Sequence, residues 1–206
     1  MKRLTMILTA AMLAMLMGAC SDSLDPDDGD DDPVITEHFE TVDNGGGAMT
    51  TTLTAPDDIW VYFRLSDSSE AEPANPADAD DYDLGIQFAN INLNGGVHGG
   101  GDVELLYFDD GGYEALTQAP GEGYITDVSD DDMGRAFNQG AGAGQNGGWY
   151  NYTGPPDHQL LIVENRYYVV HSVDDGYFKL RITGFASGGP GTPFELVFDW
   201  QEIDAP

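Results

Sequence analysis

"RYYVVHSVDDGYFKLRITGF", residues 166–185, sets two runs of β-branched and aromatic residues on either side of Asp174-Asp175-Gly176. Such runs favour strands, and an Asp-Gly step between them is a hairpin signal. Closing the turn on Asp175-Gly176 pairs Val173 with Phe178. Closing it on Asp174-Asp175 pairs His171 with Phe178. Either register puts Tyr167, Val169, His171 and Val173 on the face of Phe178, Leu180 and Ile182, with Lys179 and Arg181 opposite.

The same grammar extends in both directions. "PFELVFDWQEI" (193–203) alternates Phe194, Leu196, Phe198 and Trp200 on one side. Upstream, "AMTTTLT" (48–54), "IWVYFRL" (59–65), "VELLYF" (103–108) and "GYITDV" (123–128) read as strands. "YDLGIQFANINLN" (82–94) alternates as far as Phe88, then resumes one residue out of phase at Ile91 and Leu93, which predicts a bulge near Ala89-Asn90. Residues 66–81 and the acidic, then glycine-rich stretch 129–148 read as long loops, the second one mobile. No amphipathic helix longer than two turns stands out. The chain is expected to be all-β: an antiparallel β-sandwich with long loops.

The N-terminus reads differently. Lys2 and Arg3 precede an apolar run from Leu4 to Met17, followed by Gly18-Ala19-Cys20. A basic start, a short apolar segment and small residues before a cleavage point describe a secretory signal. "LMGAC" resembles a bacterial lipobox, which makes Cys20, the only cysteine, the lipidated first residue of the mature chain. No cysteine then remains for a disulfide. "SDSLDPDDGDDDP" after it has little to bury and strong self-repulsion, so it is expected to be an extended tether. It fails as an EF-hand loop, because the twelfth position counted from Asp25 is Thr36. The expected organisation is a lipoprotein signal peptide (1–19), an acidic disordered tether (20–45) and one β domain (46–206).

Charge narrows function. There are 37 acidic and 7 basic side chains, and loss of Lys2 and Arg3 leaves 5 basic, so the mature chain carries about −32 (5 minus 37). Such a surface repels phosphate backbones and anionic lipid heads. Nucleic acid is excluded as a partner, and membrane contact is expected only through the lipid. There is no Gly-x-Ser-x-Gly elbow, His-Glu-x-x-His, P-loop or Rossmann glycine pattern, so an enzyme is not expected.

The order of the pieces resembles the HmuY family of bacterial surface lipoproteins. The likeness rests on Tyr82-Asp83-Leu84, Leu93-Asn94-Gly95-Gly96, Gly148-Trp149, Arg166 and the hairpin with Lys179. It implies a β-sandwich that grips haem between loops at one end, for iron acquisition at the outer membrane, with a TonB-dependent receptor as partner. The family's two axial histidines do not transfer. One falls at Gly154, and the other lies in 129–148, which holds no histidine and only Met133 as a soft ligand.

Other donors must then serve. His38 lies at the tether edge and is expected in solvent, and His171 sits on a strand face as a core residue. His98, in "GGVHGGG", and His158, in "GGWYNYTGPPDHQ", lie in loops beside glycines or prolines. They are the expected haem-binding pair, with Trp149, Tyr150 and Tyr152 as pocket aromatics and the loop glycines admitting a flat ligand. Only Arg64, Arg135, Arg166, Lys179 and Arg181 are available to offset haem propionates. The alternative is a family member without haem ligands that binds a carbohydrate or protein partner at the surface.

Overall fold

The computed structural model describes residues 37–131, 133–139, 146–187, 189 and 192–206. The expected signal peptide, Cys20 and the tether up to residue 36 lie outside the described residues. Thirteen strands occur among those described: β1 (Phe39–Gly45), β2 (Ala48–Ala55), β3 (Val61–Arg64), β4 (Ser69–Ala71), β5 (Leu84–Gln87), β6 (Asn90–Leu93), β7 (Glu104–Phe108), β8 (Asn146–Gly147), β9 (Tyr150–Tyr152), β10 (Leu160–Ile162), β11 (Tyr167–His171), β12 (Tyr177–Ser187) and β13 (Phe194–Ile203).

They form a six-stranded sheet in the order β1-β2-β13-β12-β11-β7, a four-stranded sheet β4-β3-β5-β6 and a three-stranded sheet β10-β9-β8. All the pairings are antiparallel. The six- and four-stranded sheets face each other across one apolar core. Val61, Phe63, Leu84, Ile86, Ile91 and Leu93 come from the smaller sheet and meet Leu53, Phe178, Leu180, Phe198 and Trp200 of the larger. Phe63 is the hinge of this contact, with Phe198 at 5.6 Å and Trp200 at 6.2 Å, both edge-to-face. Edge-to-face packing sets the positive edge of one ring on the negative face of another. The expected alternation of Phe194, Leu196, Phe198 and Trp200 is present, and all four are buried.

Several local expectations are corrected. The 166–185 hairpin adopts neither expected register: His171 pairs with Tyr177 and Val170 with Phe178. The turn spans 172–176, closed by Ser172 N–H to Gly176 O at 2.8 Å. A one-residue shift exchanges faces, so Tyr168 and Val170 enter the core with Phe178 and Leu180. Tyr167 and Val169 share the outer face with Lys179 and Arg181. That face is also covered, because Lys179 Nζ donates to the carbonyls of Tyr113 and Leu116 at 3.1 and 3.0 Å. His171 is half-buried and stacks on Tyr177 at 4.5 Å.

The phase change after Phe88 is not a bulge. Gln87 pairs with Asn90, so Phe88 and Ala89 form a two-residue turn, with Phe88 at φ +52°. "GYITDV" contributes only one bridge, Ile125 to Leu105. Within 129–148, residues 135–138 are buried rather than loose. Phe137 packs at 4.6 Å against Tyr168, whose hydroxyl donates to the Phe137 carbonyl at 3.0 Å. The tether expectation also runs too far, since residues 39–45 are β1, paired with β2. His38 is not in open solvent: its backbone N–H and ring Nδ1 both meet the Glu70 carboxylate, at 2.7 and 2.6 Å.

Candidate functional site

Strand β3 points Val61 and Phe63 inward, so Tyr62 faces out, and β5 and β6 follow the same alternation. Tyr62 pairs with Gly85 and Gly85 with Asn92, which lays these three in one row across the outer face of the small sheet. Gly85 has no side chain, and Tyr62 and Trp60 fill the space above it: a Cβ there would lie 3.1 Å from the Tyr62 ring and 3.6 Å from Trp60. The row belongs to a cleft of about 350 Å³ that Asn75, Pro76, Ala77, Val97, His98 and Asp130 also line. That is at the small end of ligand-pocket size.

Tyr82 joins the Pro76 and His98 loops. Its ring packs edge-to-face on Tyr62 at 4.8 Å, and its hydroxyl reaches the Pro76 and His98 carbonyls at 3.1 and 3.4 Å. Burial pushes its phenol up to about 12, so it stays a donor at any ordinary pH.

His98 is the polar centre of the cleft. Its Nδ1 lies 2.8 Å from Asp127 Oδ2 and its Nε2 lies 2.8 Å from Asp130 Oδ1. The two carboxylates differ greatly in setting: Asp127 is 0% exposed and Asp130 is 94% exposed. Asp127 is fixed, since it also accepts from the backbone N–H groups of Leu93 and Ala136 at 2.8 and 2.6 Å. Burial pushes its carboxyl above the usual range, against the pull of these donors. Asp130 has no comparable restraint from burial. Histidine that ligates a metal usually gives its other ring N–H to a carboxylate. His98 has that arrangement through Nδ1, and its Nε2 meets the exposed Asp130, which also lines the cleft.

The other expected site residues lie elsewhere. His158 is exposed on the loop between β9 and β10, at φ +48°, and its Nδ1 bonds the Tyr152 hydroxyl. Both nitrogens of His98 meet aspartates, His158 meets Tyr152, and the cleft lined by His98 does not include His158. Trp149 is corrected from pocket wall to core plug. It is 1% exposed, its Nε1–H donates to the Ala89 carbonyl at 3.3 Å, and it packs on Tyr150 and Phe185. Tyr150 and Tyr152 pair with Ile162 and Leu160 in the small third sheet and are half-buried. Met133 is exposed.

The glycines of 95–101 serve the fold rather than a ligand. A Cβ on Gly95 would lie 2.2 Å from Val103 O, and one on Gly99 1.9 Å from Asn94 Oδ1. They let this loop fold onto its own backbone. Among the described residues, no group of three or more His, Cys, Asp or Glu side chains is arranged for a metal ion. The sequence reading missed Trp60, Tyr62 and Tyr82. The available signal was period two in "IWVYFRL", which puts two large aromatics on the outward side of a core strand.

The comparisons agree with this architecture. A family model described as HmuY protein matches residues 57–200. A candidate lipoprotein of Bacteroides fragilis superposes with TM-score 0.50 at 15% identity, over 80% of this chain and 94% of that one. A candidate HmuY-like haem-binding protein of Bacteroides vulgatus gives TM-score 0.50 at 14% identity, over 80% of this chain and 97% of that one. At such identities the likeness is one of fold. No curated protein matches the chain.

Proposed function

The chain belongs to the HmuY family, and from that premise we propose that it is a lipid-anchored surface protein that captures haem or a related tetrapyrrole. Members of this family are non-catalytic. In this reading Cys20 carries the lipid, the outer membrane holds the protein, and a TonB-dependent receptor receives the cargo.

One observation supports the tetrapyrrole reading: His98 is held through Nδ1 by buried Asp127 and through Nε2 by exposed Asp130, in a cleft also lined by Trp60 and Tyr62. Histidine is an axial ligand of haem iron, and a carboxylate behind it fixes its tautomer and strengthens it as a donor. The aromatic faces supply stacking area for a flat ring. Nε2 of His98 would hold the iron in place of Asp130, whose side chain is already 94% exposed. His158 then has the lesser part, at another loop.

Titration of the purified protein with haemin tests this. A saturable Soret band is expected, lost in His98→Ala and retained in His158→Ala. Retention in His98→Ala would remove the cleft as the site. A spectrum identical to free haemin would favour the second reading, a surface module for a carbohydrate or protein partner. The observation in favour of that reading is that Trp60 and Tyr62 stand beside the amides of Asn75 and Asn92, a pairing that also suits sugars.

A further inference from the structure

Lys179 differs from the arginines around it. The sequence has two lysines, Lys2 and Lys179, and only the second lies among the described residues. Arg64, Arg166 and Arg181 each meet a carboxylate, at 2.6, 2.6 and 2.9 Å. Lys179 sits on β12 opposite Gln201 of β13 and is 4% exposed. Its two hydrogen bonds go to carbonyls, those of Tyr113 and Leu116, at 3.1 and 3.0 Å. Glu114, between those two in sequence, is taken by Arg181 at 2.9 Å. The Tyr113 ring lies 4.9 Å from Nζ.

Lys179 also lines a second cleft of about 350 Å³, with Leu116, Thr117, Gln201 and Ile203, and with the exposed acids Glu202 and Asp204. It shares no residue with the His98 cleft. The segment after Tyr113 is tied to the end of β13: Asp204 N–H donates to Thr117 O at 3.0 Å, and Ala119 N–H to Asp204 O at 2.8 Å. Burial disfavours the ammonium and pushes the Lys179 amine below its ordinary range. A neutral amine has two N–H groups, enough for the two carbonyls, and one lone pair left over. Desolvated lysine amines of this kind are nucleophiles toward carbonyl carbon.

We propose that Lys179 is a covalent capture site for small, uncharged aldehydes, which reach it through this cleft and are held as a Schiff base. The lone pair of Nζ adds to the aldehyde carbon, both amine hydrogens leave with the carbonyl oxygen as water, and a C=N bond forms. A solvent proton then gives the iminium. Its single N–H keeps one of the two carbonyls, and its charge stays beside the Tyr113 ring. The cleft is small for a ligand pocket, and Glu202 and Asp204 repel an anionic ligand.

The test incubates the purified protein with propanal and sodium cyanoborohydride, which traps the imine as a secondary amine. Nα-acetyl-lysine in the same tube reports an ordinary amine, and peptide mapping by mass spectrometry separates Lys179 from every other amine of the chain. At pH 7 Lys179 is expected to be alkylated several-fold faster than Nα-acetyl-lysine, and to lose that lead when the protein is unfolded in urea. With glyoxylate, an anionic aldehyde, the lead shrinks, and Glu202→Gln combined with Asp204→Asn restores it. A lysine with a structural role alone would be labelled no faster than Nα-acetyl-lysine until urea exposes it, and that result overturns the proposal. An equal lead with propanal and glyoxylate would overturn the preference for uncharged aldehydes.

Discussion

Asp83 is a 0% exposed carboxylate that accepts from Leu65 N–H at 2.7 Å and Val173 N–H at 2.8 Å. One donor follows β3 of the small sheet and the other lies in the hairpin turn of the large sheet, so a single side chain joins the two layers. Asp83→Asn keeps the shape but sets an NH₂ against one of these donors. It is expected to lose about 1–3 kcal/mol in urea unfolding, the cost of leaving a buried donor unpaired. Burial pushes the Asp83 carboxyl above its ordinary 3.8, so the folded state holds the proton more tightly than the unfolded chain. Its contribution to stability is thus fullest below 3.8 and falls away as pH rises through the raised folded value. In Asp83→Asn that part of the stability–pH curve becomes shallower; an unchanged slope would show that Asp83 does not produce it. The sequence singles out Tyr82-Asp83-Leu84 as a family mark, but the partners of Asp83 lie 18 and 90 residues away. Nothing local announces that role. The same applies to His98, legible as a loop histidine but not as one clamped by aspartates about thirty positions on.

Elements with strict period-two alternation were legible: β2, β3, β7 and β13 lie within a residue or two of where their sequences place them. Turns were less so. Three closures of the β11–β12 hairpin set Val173, His171 or Val170 opposite Phe178, and the observed one, Val170, is accompanied by Val173 reaching Asp83, a contact outside the hairpin. Phe88 hid a turn because no glycine or asparagine marks its positive φ, which aromatic residues rarely adopt. Segment 135–138 looked loose because its burial comes from Tyr168 and Asp127 rather than from its own pattern. The loop after β6 read as glycine-rich and therefore open, yet it is packed against backbone. Gly96 sits at φ +64°, and a Cβ there would lie 2.0 Å from Asp127 O. Gly96→Ala is expected to destabilise by about 2–4 kcal/mol through strain and overpacking. Because the displaced carbonyl belongs to Asp127, haemin binding should weaken along with thermal stability. Intact stability in this variant would mean that the loop yields freely.

For the molecule as a whole, the defining quantity is charge. The chain has 37 acidic groups against 7 basic, and its described cations are spent on internal contacts, so net repulsion opposes the compact state. Thermal unfolding is expected to shift upward by a few degrees between low salt and about 0.5 M sodium chloride, as screening relieves that repulsion. A flat or falling midpoint would contradict it. The two-sheet architecture was legible from composition and alternation, whereas the cleft on the outer face of the small sheet was not, since it is assembled from β3, β5, β6 and two distant loops. The first described residues add one more consequence. His38 is gripped by Glu70 through both backbone and ring, and Phe39 packs on Phe63 at 4.8 Å, at the very point where the chain enters the sandwich. If the chain is anchored through Cys20 as proposed, tension from that side would be met there, at a latch onto β4, before it could begin to peel β1 from its neighbour.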